Sequence, residues 1–526
     1  MALTRRQFLL RVGQVGGYGA AFTMMQTLGL LPIAATEVQP VRGVAGHGTR
    51  VVILGGGIAG LVSAYEMTKL GYSCTILEAR DRVGGRNWTI RRGTRVNFTD
   101  GTEQTCAFDD GLYFNAGPAR LPSIHTHMLN YCHELGVPLE VEINTSRSSL
   151  LQCDQFNDGK PVQQRQMVND TRGHVSELLA KCLRQGALDQ DLDAEDKQRM
   201  LKFLVEYGDL TPDYLFTGTS RSGYKTPPGA GPQDGVPHDP LPMHALLDAN
   251  LWQGLLTEDM IDWQATMFQP VGGMDQIPRA FEKKLGHTIR HNAQVMRIRQ
   301  SEKGVRVLYK DRLSSGVETV DADYCICAMP LTTLKSVDAD FCPEVAQLLQ
   351  HVTYDSAYKI AWQSRRFWEQ ENSIYGGLSF LQQTVNVVWY PSYSLFSPKG
   401  AIISGYSVEN GTPFGKLPTM QAKLDASRQS VEKLFPGRGR ELSDPVYVSW
   451  GQIPFNLGSW ISGPRGGGGL EQDPRDYAVI TRPDRRVYFA GDHTSHIVGW
   501  QEGAAFSAIR AVNMIGEKVQ PGGTPA

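Results

Sequence analysis

The stretch from Arg50 to Gly60 constrains the fold more than any other. Val51-Val52-Ile53-Leu54 is a short, β-branched apolar run, and Gly55-Gly56-Gly57-Ile58-Ala59-Gly60 follows it without a gap. Such a run reads as a strand buried on both faces. Beyond it, Ile58, Leu61, Val62 and Tyr65 fall on one face of a helix. GxGxxG in that setting is the strand-to-helix turn of a dinucleotide-binding unit, whose helix N-terminus offers free N–H groups to a pyrophosphate. Gly55 allows the tight turn, Gly57 the approach of the phosphates, and Gly60 close helix–strand packing. A second strand, Ser73 to Leu77, ends at Glu78, where a carboxylate accepts hydrogen bonds from an adenosine ribose. A glycine-rich turn without a ligand is the competing reading, and the complete context argues against it.

The segment before this unit reads as a targeting signal. Thr4-Arg5-Arg6-Gln7-Phe8-Leu9 is followed by a Gly/Ala/Leu-rich stretch ending near Ala34-Ala35, and Gln26, Pro32 and several glycines break it too often for a stable membrane span. It resembles a twin-arginine signal and predicts export to the periplasm or medium. With 526 residues the chain exceeds one ordinary core, and 52 basic against 54 acidic side chains leave a formal charge of -2, which gives no reason to expect a nucleic-acid partner. Eight cysteines show no CxxC pair, and Cys325 and Cys327 sit in an apolar run that reads as a buried strand. His287 and His291 have helical spacing but no further ligands nearby, so no metal is expected.

Two further motifs narrow the cofactor. Arg80-Asp81-Arg82-Val83-Gly84-Gly85-Arg86 is a second glycine motif, and Val487-Tyr488-Phe489-Ala490-Gly491-Asp492 is a strand ending in Gly-Asp, followed by Gly499-Trp500-Gln501-Glu502-Gly503-Ala504 opening a final helix. Together with Pro270-Val271-Gly272-Gly273-Met274-Asp275-Gln276-Ile277-Pro278, these resemble the flavin monoamine oxidase superfamily, and within it the L-amino-acid oxidases, over nearly everything from residue 46 to 515. The resemblance implies non-covalent FAD. It also implies an α/β fold: a discontinuous GxGxxG FAD-binding, Rossmann-like domain, a mainly antiparallel β substrate domain and a helical insert.

The expected organisation is a signal segment over 1–35 and FAD-binding parts over 46–95, 272–352 and 471–520. Substrate-domain parts cover 96–165, 251–271 and 353–470, with a helical domain over 166–250. Within the last, Asp189, Asp191, Asp193, Glu195 and Asp196 read as a solvated face, and Gly223 to Pro242 as a surface loop or lid. The glycine run Gly466 to Gly469 reads as a flexible connection. Ala293 to Ala328 reads as alternating strands, and 355 to 460 as an antiparallel sheet.

By resemblance the cofactor lies against Gly55, Gly57, Ile58, Ala59 and Gly60, then Glu78, Ala79, Arg80, Gly84, Gly85 and Arg86. It continues past Gly117, Pro118, Ala119, Arg120, Val295 and Trp460 to Gly491, Asp492, Gly499, Trp500 and Gln501. Lys359, in Tyr354-Asp355-Ser356-Ala357-Tyr358-Lys359-Ile360, matches the lysine that holds a water near flavin N5; a surface lysine is the alternative. Arg120, in Gly117-Pro118-Ala119-Arg120-Leu121-Pro122, matches the arginine that pairs with the substrate carboxylate through its planar fork, against the alternative of a structural salt bridge. Trp500 is one wall of an aromatic cage, and Tyr390, in Val388-Trp389-Tyr390-Pro391, gives a second wall and a second hydrogen bond. Strand register decides whether Trp389 faces inward instead. The expected substrate contacts are therefore Arg120, Tyr390, Gly499 and Trp500.

The implied reaction is oxidative deamination of an L-amino acid to a 2-oxo acid, ammonia and hydrogen peroxide, with hydride passing from the α-carbon to flavin N5 and O2 as final acceptor. No protein acid/base pair is obligatory, because the cofactor supplies the reactivity. The alternatives are an amino-acid 2-monooxygenase releasing an amide, a monoamine or polyamine oxidase, and a flavin-stabilised binding protein without turnover. A homodimer is the assembly to test.

Overall fold

Four β-branched or apolar runs and one short pair assemble the sheet that carries the first motif. The computed structural model describes residues 41, 44–314, 316–463 and 468–519. The twin-arginine segment lies outside them, as do Gly466 and Gly467. Arg50–Leu54 is the central strand of a five-stranded parallel sheet in the order Ile289–Arg290, Ser73–Leu77, Arg50–Leu54, Tyr324–Cys327, Val487–Phe489. Val52, Ile53 and Leu54 are fully buried, which fits a strand covered on both faces, and each such side chain contributes about 1.5–3 kcal/mol on burial. Cys325 and Cys327 are buried in the neighbouring strand, paired with Val52 and Leu54.

Helix Ile58–Lys69 leaves the first strand at Gly57 and packs against the C-terminal helix Gln501–Val519. The parallel sheet thus unites strands from both ends of the chain, with both glycine-bearing turns at the C-terminal edge of its strands, where α/β sheets bind ligands.

Ala293–Ser301, Gly304–Asp311 and Val317–Ala322 form an antiparallel set joined by Asp338–Ala339. A seven-stranded mixed sheet runs in the order Ser443–Ser449, Ala357–Arg365, Lys399–Val408, Val387–Trp389, Leu378–Leu381, Leu150–Gln152, Val162–Gln163, and is antiparallel except where Leu378–Leu381 meets Leu150–Gln152. Every residue from Ala357 to Ser364 is buried. A separate antiparallel pair joins Leu139–Ile143 to Thr266–Pro270.

Helices Gln164–Arg184 and Ala194–Gly208 pack on each other around Ala180, Leu183 and Leu204. The acidic cluster has a specific local role there: Asp193 caps the second helix by accepting from Asp196 N–H at 2.8 Å, and Glu195 and Asp196 occupy its first turn. The segment Gly223 to Pro242 contains an antiparallel pair, Tyr224–Thr226 with Val236–Pro237. His287 and His291 do not share a helical face, because the helix ends at Leu285 and His291 Nε2 pairs with Glu282 at 2.9 Å. Among the described residues no helix is long and apolar enough to cross a membrane.

Candidate active site

The three glycine-bearing motifs converge on one long cavity with an empty volume of about 1590 Å³, open solvent at its mouth included. Its walls include Gly55, Gly57, Ile58 and Ala59 from the first turn, Glu78, Ala79 and Arg80 after the second strand, and Gly84, Gly85 and Arg86. Gly117, Pro118, Val295, Trp460, Gly491, Asp492, Gly499, Trp500 and Gln501 also line it. Gly60 is not on the wall. A Cβ there would come 2.0 Å from the Gly55 carbonyl oxygen, so its glycine serves the close packing of helix on turn. A Cβ on Gly57 would meet nothing within 4 Å. The space over that residue is left by the protein, beside the first N–H groups of a helix, and suits a pyrophosphate.

Glu78 is buried, with Oε2 accepting from Gly56 N–H at 2.7 Å and Oε1 from Arg80 N–H at 2.9 Å. Both oxygens keep a free lone pair for a ribose. Arg86 forms a two-pronged pair with buried Asp492, one contact being 3.0 Å, and so ties the second glycine motif to the C-terminal one. Burial raises the Asp492 carboxyl, but the Arg86 charge overrides it and holds the group below its usual range. Gly499 N–H also donates to Asp492 Oδ2 at 3.0 Å, and Asn87 donates to Gln501 at the start of the last helix. This donor set fits an extended dinucleotide with its phosphates at Gly57.

A second cavity, of about 730 Å³ empty volume, shares Lys359, Tyr406, Trp460, Gly499 and Trp500 with the first and adds Ala119, Arg120, Trp263 and Trp389. Arg120 is 5% exposed and lies between two indoles, with its guanidinium carbon 4.2 Å from the Trp263 ring centre and 4.3 Å from that of Trp389. It donates to Asn144 Oδ1. Burial works against its charge, and the Glu142 carboxylate partly offsets that. Lys359, 3% exposed, donates to the carbonyls of Asn115 at 2.8 Å and Gly117 at 2.6 Å. Burial, with Arg120 adding to it, drives the Lys359 amine well below the usual lysine range. The half-buried Trp500 meets His125 and Trp263 edge-on, at 4.9 and 6.2 Å between ring centres.

Residues 58–515 match the family model described as flavin containing amine oxidoreductase. The chain belongs to that family. It is 26% identical to the L-amino-acid oxidase of Pseudechis australis, over 89% of this chain and 87% of that one. It is 25% identical to the flavin-dependent L-tryptophan oxidase RebO of Lentzea aerocolonigenes, over 89% of this chain and 98% of that one. Among solved structures, a single-site mutant of a putrescine oxidase superposes with a TM-score of 0.57 at 20% identity, covering 90% of this chain and 98% of its own, a likeness of fold. Membership makes the cofactor FAD, and the long cavity is where this chain's residues fit it.

The substrate end departs from the sequence reading at one residue. Tyr390 is fully buried away from both cavities, its hydroxyl 2.7 Å from Ser379 Oγ and its ring against Trp368 and Phe435. Successive side chains on a strand alternate faces, and the register of Val387–Trp389 turns Trp389 into the cavity and Tyr390 into the core. Ala119 and Arg120 line the second cavity rather than the first. Sequence reasoning missed Trp263, Tyr406, Asn144 and Glu142. Tyr406 stands directly opposite Lys359 across two paired strands, a relation only register reveals.

Proposed function

We propose that this chain is an FAD-dependent L-amino-acid oxidase with a discontinuous FAD-binding domain, a mainly antiparallel substrate domain and a helical insert, acting on an amino acid and O2. The observation that carries the reading is the buried guanidinium of Arg120, held between Trp263 and Trp389 in the cavity that adjoins the long one. Two basic side chains, Arg120 and Lys359, line that cavity, and no carboxylate does among the described residues. An amine without a carboxylate finds no counter-charge there, whereas an amino acid brings one.

When bound, FAD supplies the two-electron acceptor for the α-carbon–hydrogen bond and returns the electrons to O2. The protein's own task is positioning. Arg120 pairs with the substrate carboxylate through the donors that Asn144 leaves free. Trp263 and Trp389 hold the planar guanidinium between them and shield it from water, which strengthens the pair. Lys359 holds its amine at the junction of the two cavities, anchored by two carbonyls, and its nitrogen lone pair can accept from a water there. Trp500 and Trp460 close the sides.

The test is peroxide release across the L-amino acids and several amines, with mass analysis of products. A 2-oxo acid with ammonia and peroxide supports the proposal. An amide one carbon shorter identifies the monooxygenase, and turnover of amines alone identifies an amine oxidase. Export belongs to the same proposal and rests on Arg5-Arg6 and the apolar stretch after them. Replacing both arginines by lysine should leave the enzyme in the cytoplasmic fraction, and unaltered export would refute that part.

A further inference from the structure

Glu142 is a carboxylate that neither the FAD cavity nor a structural ion pair accounts for. It lies on strand Leu139–Ile143 and is 2% exposed. Its Oε1 accepts from the Trp389 indole N–H at 3.2 Å, and its Oε2 is buried with no hydrogen-bond partner. Trp389 is in turn one of the two rings stacked on Arg120, so Glu142 reaches the carboxylate site both through that indole and through the field of the guanidinium. The groups around it are Arg120 on the 117–122 segment and Lys359 on Ala357–Arg365, with Tyr406 beyond, beside Arg120. The paired strand Thr266–Pro270 carries no titratable side chain, and Glu140, on its own strand, is engaged by Gln269 at 3.0 Å.

Resting on the carboxylate-binding role of Arg120, we propose that Glu142 is a proton-coupled positioning residue: it takes up one proton from solvent when an anionic substrate carboxylate pairs with Arg120. The reason is the charge count. One guanidinium faces one buried carboxylate before binding and two after it, and two carboxylates sharing a site do not both stay ionised. The incoming carboxylate receives the planar fork of Arg120. Glu142, with one oxygen buried and unpartnered, is the group that becomes neutral. Its position on the pH scale permits this, since burial pushes its carboxyl up to about 7 against the opposing pull of Arg120.

The sign follows. The protonated form binds the carboxylate, so affinity is full below pH 7 and falls as pH rises through the free-state value toward the higher value of the complex. This limb opposes the need of an amino-acid substrate for a neutral amine, which improves with rising pH. The two together give a bell-shaped kcat/KM.

Benzoate isolates the effect, because it has a carboxylate but no amine and stays ionised throughout the range. Its Kd for the FAD-loaded enzyme is measured from the flavin absorbance change between about pH 6 and pH 9. Proton uptake is measured by calorimetry in two buffers of different ionisation enthalpy. In the wild type Kd should rise about tenfold per pH unit above pH 7, the slope of one linked proton. Glu142→Gln, which keeps an acceptor for Trp389 but cannot ionise, should bind with low-pH affinity throughout and take up no proton. A flat wild-type profile, or a slope that persists in Glu142→Gln and so belongs to Lys359, overturns the inference while leaving the carboxylate site standing. Absence of benzoate binding, or binding unchanged in Arg120→Met, overturns the carboxylate site itself and the inference with it.

Discussion

Arg120→Met is the substitution whose consequences the structure defines most fully. It removes the guanidinium from between Trp263 and Trp389 and leaves Asn144 Oδ1 without that donor. It also removes the main charge opposing the rise of the Glu142 carboxyl, which already stands at about 7. Glu142 then stays protonated at neutral pH, so no uncompensated charge is stranded and the fold survives the change. Methionine has comparable length and packs well between aromatic rings. The loss therefore falls on substrate rather than on FAD. Charge-assisted hydrogen bonds contribute about 1.5–3 kcal/mol each, and a two-pronged pair loses two of them together with the α-carbon's orientation. A loss of about 2.7 kcal/mol or more corresponds to a kcat/KM for L-amino acids lower by roughly a hundredfold or more. Arg120→Lys keeps the charge without the planar fork and should recover part of it. The assay is peroxide release at several substrate concentrations, with FAD content read from the visible spectrum. An Arg120→Met enzyme with unchanged FAD and near wild-type efficiency would refute the reasoning.

Three further outcomes follow from particular contacts. Lys359→Met should slow flavin reoxidation by O2 more than flavin reduction, since the amine held by the Asn115 and Gly117 carbonyls stands at the junction of the two cavities; stopped-flow of the two half-reactions decides it, and equal slowing would leave Lys359 a structural role. Tyr390→Phe should cost about 1 kcal/mol of stability through the lost Ser379 hydrogen bond and leave kcat/KM unchanged, whereas Trp389→Phe should raise KM; thermal unfolding and steady-state kinetics separate the two. Acid precipitation should release FAD into the supernatant, because no cysteine lies near the C-terminal flavin motif; a yellow pellet would show a covalent link.

The cofactor end was legible because its determinants are local. The strand Arg50–Leu54, the turn Gly55 to Gly60 and the strand ending at Glu78 each announce themselves within a few residues, and the structure sets them side by side. Gly84 and Asp492, 408 positions apart, could be assigned to one site by motif even though no local rule says they meet. The substrate end resisted for the opposite reason. Trp389 and Tyr390 are adjacent, and a one-residue choice of register sends one into the cavity and the other into the core. Tyr406 enters the cavity because its strand pairs with that of Lys359, and Glu142, on strand Leu139–Ile143, reaches the site through the indole of Trp389. Glu140 and Glu142 alternate with the exposed Val141, a pattern that reads as a polar strand face until tertiary packing buries one of the carboxylates.

The central claim is that the cavity at Arg120 accepts amino acids because of their carboxylate. Anaerobic mixing of the wild-type enzyme with an L-amino acid and, separately, with the amine made by removing its carboxylate tests this most directly, with bleaching of the flavin absorbance as the signal. The claim predicts rapid bleaching by the amino acid and at least a hundredfold slower bleaching by the amine, the factor set by losing about 2.7 kcal/mol of pairing. Bleaching by the amine as fast as by the amino acid would contradict it.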